Sequence, residues 1–560
     1  MSSNLKDKLS LLSIIIIMMI PAVLLIFVGK DSIVVSSTKK IAFFLFSLAY
    51  LLFPLFFLKP KIYALLSIFL DGFLILEIYH ILSFKAPPTE NMLATIFYTN
   101  YNESLEFIKS NFGYLLLILL IIFFQLFLVF NIKKSFVLSR KSRLILLLFS
   151  LSVFSVIFIR DYIYVLKNNK IYNFKEKILS ANALYEHKLN KVFPVEYFFK
   201  INNVYHSLKK WDNYKKKVEN YKFGSYKKDT VDITEIYVLV IGETARRHNF
   251  HIFGYHRNTT PNLSNNNQVI AFSNVLSAAN LTYLSIPFIV TRATPDHTFR
   301  SNVEPSIVKA FEEAGFKTYW LSNQPGVSNV QNLYGKISNV YINTAISLDV
   351  PRFDEILFDE FDKALSDKSN HKKFIVLHTQ GSHFRYNFRY PDSFEKFKPT
   401  ISKNLSLTAN DISYKENFVN SYDNSILYTD YILSTVIKKL QDTNSSSYMY
   451  YISDHGENLY DDENGYLMHG LENPSKYELE IPLIFWYSKK YQSIYPDKIK
   501  ILKENKDKRI SMTNTFQTLL DLSNVGYRHE DLKLSFASEK FDSLQNRYFL
   551  RTNNKVLRLD

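Results

Sequence analysis

The 560-residue chain contains no cysteine, which excludes disulfides and every thiolate metal site. It also lacks the small-x-small cleavage site that would follow a secretory leader. Its first apolar stretch is too long for one, so no cleaved signal peptide is expected. No internal repeat is present, and no low-complexity tract beyond a Lys-rich bridge. Acidic residues are outnumbered, and the formal charge is +15. That excess does not point to nucleic acid. Much of it lies in membrane-flanking loops and in residues 165–228, where anionic lipid is the natural counter-charge.

Apolar sequence is abundant instead, at 47% hydrophobic and 16% aromatic, and it is unevenly spread. Five long uncharged runs precede residue 160: Leu9–Gly29, Ile41–Leu58, Ile62–Phe84, Gly113–Phe130 and Leu144–Ile159. Each reaches or approaches the roughly 20 residues with which a helix crosses a bilayer, and none shows the polar face of a soluble helix. With the N-terminus inside, the cytoplasmic segments hold Lys6, Lys8, Lys59, Lys61, Lys133, Lys134, Arg140, Lys141 and Arg143. The opposite loops hold Lys30, Lys39, Lys40, Lys85 and Lys109. The dense "NIKKSFVLSRKSR" loop sets the orientation, and an odd number of spans then puts everything after residue 160 outside, in a bacterium the periplasm. Residues 1–160 thus form a five-helix membrane domain.

Residues 161–230 are a bridge. "KVFPVEYFFKINNVYHSLKKW" mixes aromatics with Lys, and two readings stand level: a helix lying in the headgroup layer, or an amphipathic helix packed on the domain that follows. From 231 to 560 the pattern is that of an α/β domain. "ITEIYVLVIGE", "KTYWLSNQPG", "KKFIVLHTQGSH", "SYMYYISDHGE" and "IPLIFWYSKK" each run from apolar to polar, with helical stretches between. This alternation predicts a central, mostly parallel sheet flanked by helices.

Ligands of such sheets bind beyond the carboxyl ends of the strands. The residues ending these runs are Glu243, Asn323, His378 with His383, and Asp454 with His455. Glu243, Asp454 and His455 supply two carboxylates and one imidazole, a workable zinc set with its fourth position open to a reacting group. A hydroxyl in that position would lose its proton near neutral pH. Thr282 offers one, ahead of "YLSIPFIV". At a helix N-terminus, backbone N–H groups would stabilise a phosphate beside it; a plain helix cap explains Thr282 equally well.

The motifs "VLVIGETARRHNFHIFGYHRNTTPNLS", "LTYLSIPFIVTRATPDH", "VLHTQGSHFRYNFRYP" and "YYISDHGENLY", the last followed by His469-Gly470, occur in this order. Together they resemble those of membrane-anchored phosphoethanolamine transferases of the alkaline phosphatase/sulfatase superfamily. The resemblance implies one tightly bound Zn2+ on Glu243, Asp454 and His455, with a second ion left open. Thr282 is then the fourth ligand and the nucleophile toward phosphatidylethanolamine. The phosphoethanolamine it carries would pass to lipopolysaccharide, in the core or lipid A. His383 and His469 fall where the family places histidines near the phosphoryl group, to stabilise its oxygens or pass protons. Asn323 is a further substrate-binding candidate. Glu103, in "TIFYTNYNES", matches an acid that contacts the ethanolamine, although the family's Asn eight residues earlier is Thr95 here.

Relatives that modify lipid A commonly carry periplasmic disulfides, which this chain cannot form. "PFIVTRATPDH" and "YELEIPLIFWYS" look more like the branch that modifies core sugars. Asp71, Glu77 and His80, in or near the third span, are given no role. The remaining expectations are a monomer in the bacterial inner membrane, in contact with lipid but not nucleic acid. Competing readings are a glycerophosphotransferase of the lipoteichoic-acid-synthase type, a periplasmic phosphodiesterase or sulfatase, and a non-catalytic scaffold. A sulfatase needs a modified Cys or Ser as nucleophile, and the chain has no Cys.

Overall fold

The computed structural model describes residues 3–28, 37–84, 87–88, 93, 112–168, 174–189, 192–229, 232–324, 333–344, 353–401, 412–461, 465–471, 473–551 and 555–560. Two compact units divide between His206 and Ser207. Glu103 and Thr95 lie outside the described residues.

In the first unit the described residues of each of the five apolar runs lie mostly on helix. These are α1 (Ser3–Met18) with α2 (Ile20–Val28), α3 (Ser37–Leu52), α4 (Pro60–Phe84), α5 (Phe112–Asn131) and α6 (Arg140–Asn168). Among the described residues, Pro60–Leu82 and Arg140–Leu166 are long and apolar enough to cross a membrane. The pair Asn4–Met18 and Ile20–Phe27 makes a third if read as one bent span, and Ile41–Phe56 and Leu119–Asn131 are shorter apolar helices. The 45° bend between α1 and α2 falls at Pro21, which lacks the N–H that would continue the helical ladder and crowds the carbonyl four residues back. Outward-facing Phe69, Phe123, Phe127 and Phe130 are exposed. Asp71, Glu77 and His80 are instead buried, as ionisable groups in apolar helices must be, and Glu77 accepts a 2.8 Å hydrogen bond from Tyr197 Oη.

The bridge contains α7 (Phe174–Leu189) and α8 (Glu196–Val218). The N-terminal half of α8 belongs to the first unit, where Tyr197 stacks on Phe73 at 4.5 Å. From Ser207 on it belongs to the second, where Tyr214 and Val218 join the core.

The second unit is built on a seven-stranded sheet. Its strands are β1 (Glu235–Gly242), β2 (Val269–Phe272), β3 (Lys317–Ser322), β4 (Val340–Asn343), β5 (Lys372–His378), β6 (Ser446–Ser453) and β7 (Leu483–Tyr487), in the order β2-β7-β6-β1-β5-β3-β4. The five from β6 to β4 are parallel. All eight residues of β1 are buried, as expected for a central strand covered on both faces. Alternate side chains feed opposite cores. Tyr237, Leu239 and Ile241 pack with α9 (Thr282–Val290), α10 (Ile307–Glu313) and α13 (Thr515–Leu522), while Ile236, Val238 and Val240 pack with α11 (Leu357–Ser366) and α12 (Lys415–Asp442). Each buried Val, Leu or Ile contributes about 1.5–3 kcal/mol.

The five predicted strand runs are all in this sheet, but β7 runs antiparallel to β6. The chain leaves β6 at the carboxyl edge and is beside that edge again just before β7, where Gly456 N donates to Glu478 O at 2.8 Å and Ser453 N to Pro482 O at 3.4 Å. It therefore re-enters from the same edge, since a parallel return would need a crossover to the other end.

Candidate active site

Strand register gathers the site. Gly242 pairs with Ser453, and Ile241 and Ser322 are both level with His378. The chain keeps bonding one residue further: Asp454 N donates to Gly242 O at 3.1 Å, Thr379 N to Ile241 O at 3.1 Å and Asn323 N to His378 O at 2.8 Å. Glu243 and Asp454 thus emerge from the adjacent β1 and β6, and Gln324 from β3 on the far side of β5, each within two residues of its strand's end.

Glu243, Asp454 and His455 are fully buried, each offering one ligand atom, and these atoms lie within 4.8 Å of one another. His455 Nε2 is 3.3 Å from Asp454 Oδ2 and 3.6 Å from Glu243 Oε1. His455 Nδ1 lies 2.9 Å from Gly456 O, a bond that makes Nδ1 the donor and turns Nε2 toward the carboxylates. Asp454 Oδ1 accepts from the backbone N–H groups of Thr244 (2.9 Å) and His455 (2.8 Å), whereas Oδ2 is buried without a hydrogen-bond partner. Burial and the neighbouring Asp454 push Glu243 up to about 8, burial pushes Asp454 up to about 7, and burial with His469 nearby pushes His455 down to about 4. Two carboxylates and one imidazole with a bare acceptor between them fit a divalent cation, and the N/O set suits zinc.

Thr282 joins this cluster. Its Oγ1 donates to Glu243 Oε1 at 3.0 Å, has Oε2 at 3.2 Å, and lies 3.4 Å from His455 Nε2. The two readings of Thr282 are now separable: the N-cap of α9 is Leu281, no side chain caps the helix, and the Thr282 hydroxyl is turned into the acidic cluster.

The other expected residues divide. His469 Nδ1 and Glu457 Oε2 are 2.6 Å apart, and the His469 ring lies 4.1 Å from that of His455. Burial holds His383 down to about 3, with Arg389 and then His469 adding to the effect. Asn323 is not presented to the site: it is fully buried, and its Nδ2 donates to Asp354 Oδ1 at 2.9 Å. Gln324, one residue on, is the group that reaches in. Its Nε2 donates to Glu243 Oε2 at 3.0 Å and to Thr379 O at 2.7 Å. Sequence reasoning stopped one residue short of it, although "SNQ" carries both amides past the same strand end. Thr244 was also missed. At φ +57° it donates its hydroxyl to Glu243 Oε1 at 2.8 Å. Gly381 has φ +50°, and a Cβ there would stand 2.7 Å from Glu243 O, so only glycine lets the two loops close on each other.

Comparison with known proteins bears on the same region. The sulfatase family model matches residues 235–525. Phosphoethanolamine transferase EptA of Escherichia coli is 33% identical over 306 residues, 51% of this chain and 53% of that protein. The chain spans about half the length of the curated relatives it matches. Among solved structures, the C-terminal periplasmic domain of EcEptC from Escherichia coli in complex with Zn is similar at 25% identity. Its TM-score is 0.53, with 60% of this chain and 94% of that one covered. The integral membrane protein lipooligosaccharide phosphoethanolamine transferase A from Neisseria meningitidis shares the fold at 23% identity and a TM-score of 0.50, covering 91% of this chain and 92% of that one. The family match runs from the first residue of β1 past the end of α13, taking in every strand of the sheet and the whole cluster at its edge, so this chain belongs to the sulfatase family.

Proposed function

We propose that this chain is a phosphoethanolamine transferase. It moves phosphoethanolamine from phosphatidylethanolamine to lipopolysaccharide, in the core or lipid A, through a covalent intermediate on Thr282. The observation that carries the reading is the Thr282 hydroxyl, 3.0–3.4 Å from two of the three metal-type ligands at the sheet's edge. The named relatives and the Zn-bound neighbour support it.

Glu243, Asp454, His455 and Thr282 would hold one zinc ion. When bound, zinc supplies the positive charge that lowers the pKa of the Thr282 hydroxyl and offsets charge on the phosphoryl oxygens. Thr282 attacks phosphorus, and diacylglycerol leaves. The first N–H groups of α9, a nine-residue helix, face the anion. His383 and His469 bind phosphoryl oxygens or carry protons to the leaving oxygen and from the acceptor. Gln324 and Thr244 hold the Glu243 carboxylate in place. Glu103 remains the proposed contact for the ethanolamine ammonium.

The whole protein in this reading is a monomer in the bacterial inner membrane, with five spans in residues 1–160, a bridge over 161–230 and a periplasmic catalytic domain over 231–560. Mass spectrometry tests it. After exposure to phosphatidylethanolamine, phosphoethanolamine is expected on Thr282, and lipopolysaccharide from cells carrying the gene gains the same mass. An adduct on another residue, or none, overturns the proposal.

A further inference from the structure

The helix α8 is inside-out over its first half and ordinary over its second. From Glu196 to Tyr205 the charged groups are the buried ones. Glu196 is fully buried and Lys200 is 7% exposed, and Lys200 Nζ donates to Glu196 Oε2 at 2.6 Å and to Pro88 O at 2.7 Å. The neighbouring face, at the i, i+3, i+7 spacing of one helical stripe, carries Phe198, Ile201 and Tyr205, which are 69%, 39% and 60% exposed. From Lys209 to Val218 the pattern reverses. Tyr214 and Val218 are buried in the core of the second unit, while Lys209, Asp212, Lys215, Lys216 and Lys217 are exposed. Water drives apolar side chains inward and leaves charges outside, and only the second half obeys it. In hydrocarbon the rule inverts: charges turn to the protein interior and pair there. The span α4 shows that same inversion, with Leu65, Leu66 and Phe69 exposed and Asp71, Glu77 and His80 buried.

Two contacts fix the level at which α8 begins. Tyr197 stacks on Phe73 at 4.5 Å and donates its hydroxyl to Glu77 at 2.8 Å. Phe73 and Glu77 lie 13 and 17 residues after Pro60, where the apolar span Pro60–Leu82 starts. At 1.5 Å per residue that is about 20 and 25 Å along the helix, within a hydrocarbon core about 30 Å thick. We propose that Glu196–Tyr205 is immersed in the hydrocarbon of one leaflet, with acyl chains covering its Phe198, Ile201 and Tyr205 face, and that the lipid–water boundary crosses α8 between Tyr205 and Lys209. The change of pattern falls where the two compact units divide, between His206 and Ser207. A helix lying flat among headgroups would not bury Glu196 and Lys200 while exposing Phe198. A helix packed wholly on the second unit would not expose that face at all. The inference goes beyond the transfer reaction and does not depend on the chemistry of Thr282.

Thiols introduced one at a time into the cysteine-free chain test it, in full-length protein reconstituted in nanodiscs of phosphatidylcholine and phosphatidylglycerol. Phe198→Cys, Ile201→Cys and Tyr205→Cys are labelled with a polarity-sensitive nitrobenzoxadiazole fluorophore. Phe127→Cys, on the exposed face of α5, is the lipid standard, and Lys216→Cys is the aqueous one. Labels at Phe198 and Ile201 should emit as far to the blue as the label at Phe127. They should resist aqueous iodide and be quenched by phosphatidylcholine carrying a nitroxide on its acyl chain. The label at Lys216 should emit further to the red and be quenched by iodide. Tyr205 lies about 10 Å further along the axis than Phe198. Its label should therefore respond most to a nitroxide close to the lipid carbonyls, and that at Phe198 to one deeper in the chain. Iodide quenching at Phe198 and Ile201 equal to that at Lys216 overturns the proposal. Equal depth at Phe198 and Tyr205, the mark of a helix flat in the headgroups, also overturns it. So does quenching of Phe198 by neither reagent, the mark of a face covered by protein. Should Phe198→Cys not fold, Ile201→Cys carries the same comparison with Tyr205→Cys. No outcome requires turnover, so the result stands whether or not Thr282 forms an adduct.

Discussion

Thr282 and Gln324 do different work at one carboxylate, and their variants should separate it. Thr282→Ala removes the hydroxyl but leaves the three protein ligands, so turnover should fall by about 10⁴-fold or more and the adduct vanish while zinc stays bound. Gln324→Leu removes a donor shared by Glu243 and Thr379 O, so zinc affinity should drop about 10–100-fold, as for other partners of metal ligands. Competition with a chromogenic chelator reads both. The cluster also sets a pH dependence. Folding raises Glu243 from its ordinary 4.5 to about 8 and Asp454 from 3.8 to about 7. A carboxyl that binds its proton more tightly when folded favours the folded state in acid, and that contribution is lost as pH rises through the folded value. Metal-free protein should therefore melt at progressively lower temperature as pH climbs from about 4 to 8. Added zinc, replacing the protons, should reverse the loss at the alkaline end.

At the scale of elements, the site depends on strands that stop level with one another and on loops that fit between them. Gly381→Ala would put a methyl group 2.7 Å from Glu243 O at a positive φ, costing about 1–3 kcal/mol in backbone strain and displacing the carboxylate. Both the melting temperature and the activity should fall. Gly456 faces a similar constraint, since a Cβ there would meet Tyr477 O at 2.0 Å. Much of this level was legible beforehand. Apolar runs ending in Glu243, His378 and Asp454 marked three neighbouring strands, because a strand covered on both faces must be apolar along its whole length. The direction of β7 was not legible, because its local pattern is the same whichever way it pairs. The displacement of Asn323 by Gln324 was hidden too. Which of two adjacent amides turns inward depends on Asp354, 31 residues away.

For the whole molecule, the absence of cysteine permits a clean topology test, since a single introduced thiol has no background. Lys540→Cys, exposed in the second unit, should react in intact cells with a maleimide that crosses the outer but not the inner membrane. Lys134→Cys, exposed in the loop before α6, should react only after the inner membrane is permeabilised. The reverse pattern would invert the proposed orientation.

Composition and order along the chain by themselves determined the apolar helices, the α/β character of residues 231–560 and the placing of Glu243, Asp454 and His455 just past apolar strand runs. These follow from local rules: hydropathy, strand and helix periodicity, and the chemistry each side chain carries wherever it lies. Only the tertiary structure decided that Thr282 faces the carboxylates rather than capping its helix, that Gln324 holds Glu243, and that Glu457 backs His469. Hydrogen bonds act over about 3 Å, and which groups come within that reach is set by strand register and loop closure between distant segments.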